Sequence, residues 1–353
     1  MDYKNQLDQL VETVAREGAS DLHLSVGHQP MIRVSGVLMP LVKFPELKQE
    51  DTTGLLFEML SSENKKIFLE TKDLDFAYTT NAGIRFRGNS FYQMGFVSVA
   101  LRLILKKIRS LNELNLPPIL EEITHRKQGF FLVVGPVGQG KSTTLAAMID
   151  LINRERAEHI ITIEDPIEYV YPNGKSIIDQ REIRFDTNDF QSALKSMFRQ
   201  DVNVAMIGEM RNQETIAIAV TAAETGHLIF STLHTNNASQ TIDRIIDSFP
   251  GSQQAQIKVQ LAGSLIGVFS QRLLPKVSGG LVPAYELLLN NSAVSNLIRE
   301  GRTHEINMVL ETSAEVGMIN MNHSIAELVR SGEIGTEDAF RYTLDPDGLQ
   351  RLL

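Results

Sequence analysis

Residues 135–142 read Gly-Pro-Val-Gly-Gln-Gly-Lys-Ser, a G-x-x-x-x-G-K-S spacing set between the apolar run GFFLVV and the segment STTLAAMIDLINRE. A strand, a glycine-rich turn and a helix in that order form the context in which this spacing grips phosphate. Gly135, Pro136, Val137, Gly138, Gln139 and Gly140 make the turn. With few Cβ atoms in the way, main-chain N–H groups close around phosphate oxygens. The helix opening near Lys141 adds free N–H groups and the positive end of its dipole. Lys141 supplies a point charge for the β- and γ-phosphates, Ser142 a hydroxyl for Mg²⁺, and Thr143 a contact with the α-phosphate. The expected ligand is ATP with Mg²⁺.

Hydrolysis needs a carboxylate to activate water and another oxygen ligand near the metal. Two further apolar runs end in acids: HIITIEDPIE gives Glu164, Asp165 and Glu168, and NVAMIGEMR gives Glu209 followed by Arg211. In a parallel sheet the carboxyl ends of the strands converge on the ligand crevice. Glu164 is therefore read as the general base. Glu209 is read as the group on the metal or water side, sharing the metal with Ser142, and Arg211 as a nucleotide contact. Asp165 and Glu168 fit caps of the following turn equally well. HLIFSTLHT carries His227 and His234, both expected near the same crevice, where each could sense the γ-phosphate or a neighbouring subunit. Each also fits a hydrogen-bonded core histidine, and their spacing matches no metal-ligand motif.

Alternating strands and helices must position these groups. The runs FFLVV, HIITI, NVAMI and HLIFSTL are continuously apolar, and helical stretches separate them. That pattern predicts a mostly parallel sheet covered on both faces. Residues 1–107 read differently, as a smaller α/β unit. A helix carries Leu7, Leu10, Val11 and Val14 on one stripe and stops at Gly18; strands follow at DLHLSVG and MIRVSGVLMPL, then one helix over about 50–69 and a hairpin around Asn81–Gly83. Residues 108–120, with Pro117 and Pro118, read as a linker, 121–291 as the nucleotide-binding core, and 292–353 as helices.

The chain of 353 residues is 42% hydrophobic and 22% charged, with net charge −9, no cysteine and no tryptophan. Disulfides and cysteine-based zinc sites are excluded. The acidic balance argues against a nucleic-acid partner held by a basic face. No apolar run approaches the ~20 residues of a membrane span. A cytoplasmic protein is expected, one that meets any membrane machine from the side.

GPVGQGKST, IEDPIE, IGEMRN and TGHLIFSTLHTNNAS together resemble the Walker A, Asp box, atypical Walker B and His box of the secretion ATPase superfamily. ASDLHLSVGHQPMIRVSGVL, RFRGNSF, LNLPPIL and AELVRSGEIGTEDAFRY resemble its retraction branch, the PilT-type twitching-motility ATPases of type IV pili. The resemblance spans nearly the whole chain. It implies a PAS-like N-terminal domain, a RecA-like ATPase domain and a homohexameric ring that hydrolyses ATP to drive pilus retraction. It also implies an inner-membrane platform protein as partner, and arginine fingers at Arg85, Arg87 and Arg102. Arg85 and Arg87, two apart on one strand, equally fit a solvated face.

The chain departs from the family in four places. Val137 and Gln139 stand where Thr and Ser are usual in the phosphate loop. Val202 and Asn203 replace a Pro and an Asp. Gln93, Met94 and Gly95 occupy the place of a further arginine, and Ser295 replaces a charge. These departures also fit a PilU-type accessory paralogue. Other readings are a pilus-assembly, type II or type IV secretion ATPase, a RecA- or helicase-like nucleic-acid ATPase, and a non-hydrolysing nucleotide sensor. The absence of cysteine argues against the assembly and type II branch with its four-cysteine zinc insertion. The nucleic-acid class predicts a basic channel with aromatic stacking groups, and net charge −9 with no tryptophan argues against it.

Overall fold

The computed structural model describes residues 2–34, 36–104 and 107–353. They form two compact units, Met1–Lys106 and Lys107–Leu353. The first begins with α1 (Tyr3–Arg16), capped by the Asp2 carboxylate accepting from the Asn5 N–H, with Leu7, Leu10, Val11 and Val14 buried along one stripe. Strands β1 (Asp21–Leu24), β2 (Met31–Val34) and β3 (Val37–Pro40) come next, then helices α2 (Gln49–Met59) and α3 (Ser62–Thr71). Strands β4 (Asp73–Thr79), β5 (Arg85–Gln93) and β6 (Phe96–Ile104) complete an antiparallel sheet ordered β3-β2-β1-β6-β5-β4.

Two expectations are corrected in this unit. The stretch MIRVSGVLMPL is a hairpin rather than one strand, because Gly36 takes a left-handed φ of +84° and folds β3 back on β2. The helix expected over about 50–69 is two helices. The chain leaves helical geometry at Leu60, and the Ser61 hydroxyl caps α3 by accepting from the Asn64 N–H.

The second unit contains α4 (Ile119–Thr124), β7 (Gly129–Val134), α5 (Lys141–Glu155), β8 (His159–Glu164), β9 (Ile177–Glu182), α6 (Phe190–Met197), β10 (Val204–Ile207), α7 (Gln213–Glu224), β11 (Leu228–Leu233), α8 (Ala238–Asp247), α9 (Gly251–Ser264), β12 (Leu265–Pro275) and β13 (Leu281–Leu289). Helices α10 (Ser292–Glu300), α11 (Ile306–Thr312), α12 (Met321–Arg330), α13 (Thr336–Tyr342) and α14 (Pro346–Leu352) follow. The sheet order is β13-β12-β7-β11-β10-β8-β9, and among these strands β13 alone runs antiparallel to its neighbour.

Alternation along β7 explains why its sequence is apolar throughout. Phe130, Leu132 and Val134 pack with α6–α11 on one face, and Phe131 and Val133 pack with α4 and α5 on the other. The segment read as a linker is held to that second face, where Leu111, Leu116 and Leu120 join the cluster around Phe131 and Met148. Helices α12–α14 pack against Leu274, Val282 and Ala284 of β12 and β13. No helix among the described residues is long and apolar enough to cross a membrane.

Candidate active site: a phosphate loop among strand ends

The register aligns Val134 with Leu233, Ser231 with Ile207, and Ile207 with Ile163. The residues that follow these strands therefore meet at one edge of the sheet: the loop from Gly135, the acids after Ile163, Glu209, and His234. Gly135 is required by both space and backbone. Its φ is +143°, and a Cβ there would lie 2.4 Å from the Gln271 carbonyl oxygen. Gly140, at φ +80°, is the left-handed N-cap of α5, so the helix opens without a side-chain cap and leaves its first N–H groups for a ligand.

Lys141 is buried, and its ammonium donates to the carbonyls of Gly135 at 2.7 Å and Pro136 at 2.8 Å. It also lies 3.3 Å from His234 Nδ1. An ammonium only donates, so Nδ1 accepts, and the proton of neutral His234 sits on Nε2. That nitrogen is 3.3 Å from Glu209 Oε2, and the other side of the Glu209 carboxylate pairs with Arg211. A continuous polar chain thus runs Lys141–His234–Glu209–Arg211. Burial lowers the Lys141 pKa, while Glu168 and Glu209 pull it back up.

On the other flank, Ser142 Oγ donates to Glu168 Oε1 at 3.0 Å, and Thr143 Oγ1 lies 2.8 Å from the Tyr169 hydroxyl. Glu168, which fitted a turn cap equally well in the sequence, reaches the site. Glu164 is 7% exposed. Burial pushes its carboxyl up to about 7, opposed by hydrogen bonds from Thr162, Gln180 and the Glu168 amide. Thr162 Oγ1 and Gln180 Nε2 both donate to its Oε1, at 2.6 Å and 3.3 Å. A buried carboxyl pushed up to about 7, four residues before the Glu168 that bonds Ser142, is chemically suited to take a proton from water.

His227 is not at this edge. It precedes β11, and its carbonyl accepts from the Gly129 N–H at the opposite, amino end of the sheet. Its ring bonds the Ala222 carbonyl at 3.0 Å and meets Phe198 edge-on. Two histidines in one nine-residue strand motif cannot share an end when they flank the strand. His227 is thus the packed, hydrogen-bonded histidine of the pair.

In the first unit, Arg85 and Arg87 point to the same face of β5, and Arg87 lies opposite Arg102 on β6. Arg102 Nε donates to Asp21 Oδ1 at 2.9 Å with its side chain 71% exposed. Gln93, Met94 and Gly95 form the β5–β6 hairpin tip, with φ +50° at Met94 and +84° at Gly95. An arginine there would stand eight residues from Arg85, roughly 27 Å along the strand.

Sequence reasoning missed the supports behind the loop. The Gln271 side chain accepts from Thr144 Oγ1 at 2.6 Å, and the Gln139 amide oxygen accepts from the Leu273 N–H at 2.6 Å. Ser270 Oγ donates to the Asn236 carbonyl at 2.8 Å, and Arg272 reaches Asn236 Oδ1 at 3.3 Å and the Tyr342 carbonyl at 3.2 Å. Of the departures noted, Asn203 Oδ1 accepts from the His159 N–H, and the Ser295 hydroxyl lies 3.0 Å from the Ala262 carbonyl.

The profile of the type II/IV secretion system protein family matches residues 3–333. The chain belongs to this family. As a secretion ATPase it is 40% identical to PilT of Pseudomonas aeruginosa, a type IV pilus retraction ATPase, over 94% of this chain and 96% of that one. It is 38% identical to the type IV pilus ATPase PilU of the same organism, over 99% of this chain and 91% of that one. A crystal structure of the pilus retraction motor PilT with bound ADP superposes with a TM-score of 0.92 at 45% identity, covering 97% of this chain and 98% of that one. This secretion ATPase thus has the expected architecture, an α+β N-terminal domain followed by a RecA-like nucleotide-binding domain with C-terminal helices.

Proposed function

We propose that this secretion ATPase is the motor that powers retraction of a type IV pilus, hydrolysing ATP to ADP and phosphate. The observation that carries the reading is the polar chain Lys141–His234–Glu209, closed on the phosphate loop of a protein alike over its whole length to retraction motors. The ammonium of Lys141 is spent on loop carbonyls and His234; an arriving phosphate takes over those donors. His234 then reports the exchange to Glu209. Glu164 takes the proton from the attacking water.

The oxygen donors fit Mg²⁺, a hard cation that keeps several waters and takes few protein ligands. Ser142 and Glu168 offer a hydroxyl and a carboxylate 3.0 Å apart, with Glu209 as the second acid. Mg²⁺ supplies charge neutralisation on the phosphates. Arg85, Arg87 and Arg102 would reach the nucleotide from an N-terminal domain, in this subunit or the next, within a homohexamer. The ring works from the cytoplasm against an inner-membrane platform protein.

A PilU-type accessory role is the second reading, favoured by the 99% of this chain that PilU matches. Deleting the gene and scoring surface pili separates the two. Hyperpiliated, immobile cells rescued by the wild type but not by Glu209→Gln support the motor. Normal retraction in the deletion strain supports the accessory role, and bald cells overturn both.

A further inference from the structure

Strand β12 outruns its neighbour. Strand β7 ends at Val134, opposite Ser270, whereas β12 continues to Pro275. Beyond Ser270, β12 therefore offers main-chain groups with no strand beside them on the β7 side. On its other side Leu273 stands opposite Pro283 in a non-hydrogen-bonded pair, since Tyr285 and Leu287, two and four residues on, turn their N–H groups away from β12 to Ser324 and Ile319. A part-buried edge of this kind must find partners. The phosphate loop provides them. The Gln271 carbonyl abuts Gly135, the Gln271 side chain holds Thr144, and the Leu273 N–H donates to the Gln139 amide oxygen.

Gln139 lies between Gly138 and Gly140, both at left-handed φ, and nothing packs within 4 Å of where a Gly138 Cβ would be. This apex is open on the Gly138 side, and one side chain fastens it. Thr144 is the matching fastener on the far side of Lys141. The two bonds clamp the turn that carries the lysine onto alternate residues, Gln271 and Leu273, of one strand.

We propose that Gln139 is a positioning residue. Its side chain is turned away from the nucleotide and keeps the phosphate loop in its binding curvature by holding the Leu273 N–H. The inference rests on the reading that the loop binds nucleotide. A serine at this position would be too short to make the same bond.

The test uses the full-length protein, a fluorescent ADP analogue, steady-state ATP hydrolysis and amide hydrogen exchange. Gln139→Met keeps the length and removes the amide acceptor. Losing one such bond is expected to weaken ADP binding about fivefold. The ATP KM should rise in step while kcat stays within about twofold, the mark of lost uniform binding. The Leu273 amide should exchange faster without nucleotide present. Gln139→Ser should behave likewise and serves if the methionine variant does not fold. Unchanged ADP affinity in both variants overturns the proposal. So does weaker binding with an unaltered Leu273 exchange rate, because the side chain would then contact the nucleotide itself. Lys141→Ala is the control: if it binds ADP like the wild type, the phosphate-loop reading fails; if it loses ADP while Gln139→Met does not, only the clamp fails.

Discussion

Replacing Thr162 by valine should move the acid limb of the ATPase pH profile upward. Thr162 is fully buried, and valine matches its shape without the hydroxyl. Its Oγ1 donates to Glu164 Oε1 at 2.6 Å. A hydrogen bond to a charged group contributes about 1.5–3 kcal/mol. A hydroxyl can also accept from the protonated acid, so about half of that, about 0.75–1.5 kcal/mol, separates the two forms, at its upper end equivalent to about one pKa unit. Glu164 starts at about 7, and a base works only when deprotonated. Activity therefore falls as pH drops through that value, and in the variant it falls from about 8. At pH 7 the ionised fraction drops from about a half to about a tenth, so kcat/KM should fall about fivefold, recovering by pH 9. The assay is kcat/KM for Mg-ATP from pH 5.5 to 9.5, with Glu164→Gln run alongside to show that the limb belongs to this residue. A limb that stays in place, or a loss that is the same at pH 9 as at pH 7, refutes the reasoning.

Two further perturbations test the scaffold. Gly135→Ala places a Cβ 2.4 Å from the Gln271 carbonyl at φ +143°; it should cost about 2 kcal/mol or more, read as a lowered melting temperature, and abolish ADP binding. Arg272→Met removes a cation whose charge acts on Glu286, a residue 4% exposed whose carboxyl is pushed by burial to about 6, with Arg272 pulling it down. Without that cation the folded-state pKa rises further, and an acid raised above its unfolded value loses stability as pH climbs from the unfolded towards the folded pKa. The melting temperature of the variant should therefore fall short of the wild type by more at pH 8 than at pH 5.

Local chemistry was legible in the sequence, and distance in the chain was not. The phosphate loop, the apolar strands and the acids that end them are short-range patterns, so β7, β8, β10 and β11 could be read directly, with Glu164, Glu209 and His234 placed at their carboxyl ends. The turn residues Asn81–Gly83 between FAYTT and GIRFRGNSFYQ also exposed the β4–β5 hairpin. Gln271 was invisible because 127 residues separate it from Thr144. Nothing in its flanking residues marks a strand that outruns its neighbour. Strand β9 was missed because IIDQRE is an edge strand, half polar. His227 was misplaced because composition does not tell which end of a strand a flanking residue occupies; the direction of the chain does. Glu168 remained open because an acid after Asp-Pro suits a turn as well as a bond to the Ser142 hydroxyl.

The Arg272 guanidinium touches both the loop that carries His234 and the last carbonyl of α13. The closing helices are therefore not an appendage: a single guanidinium ties α13 to the segment that follows His234. A displacement of α13 therefore pulls on Asn236, two residues past His234, through one side chain of the same subunit.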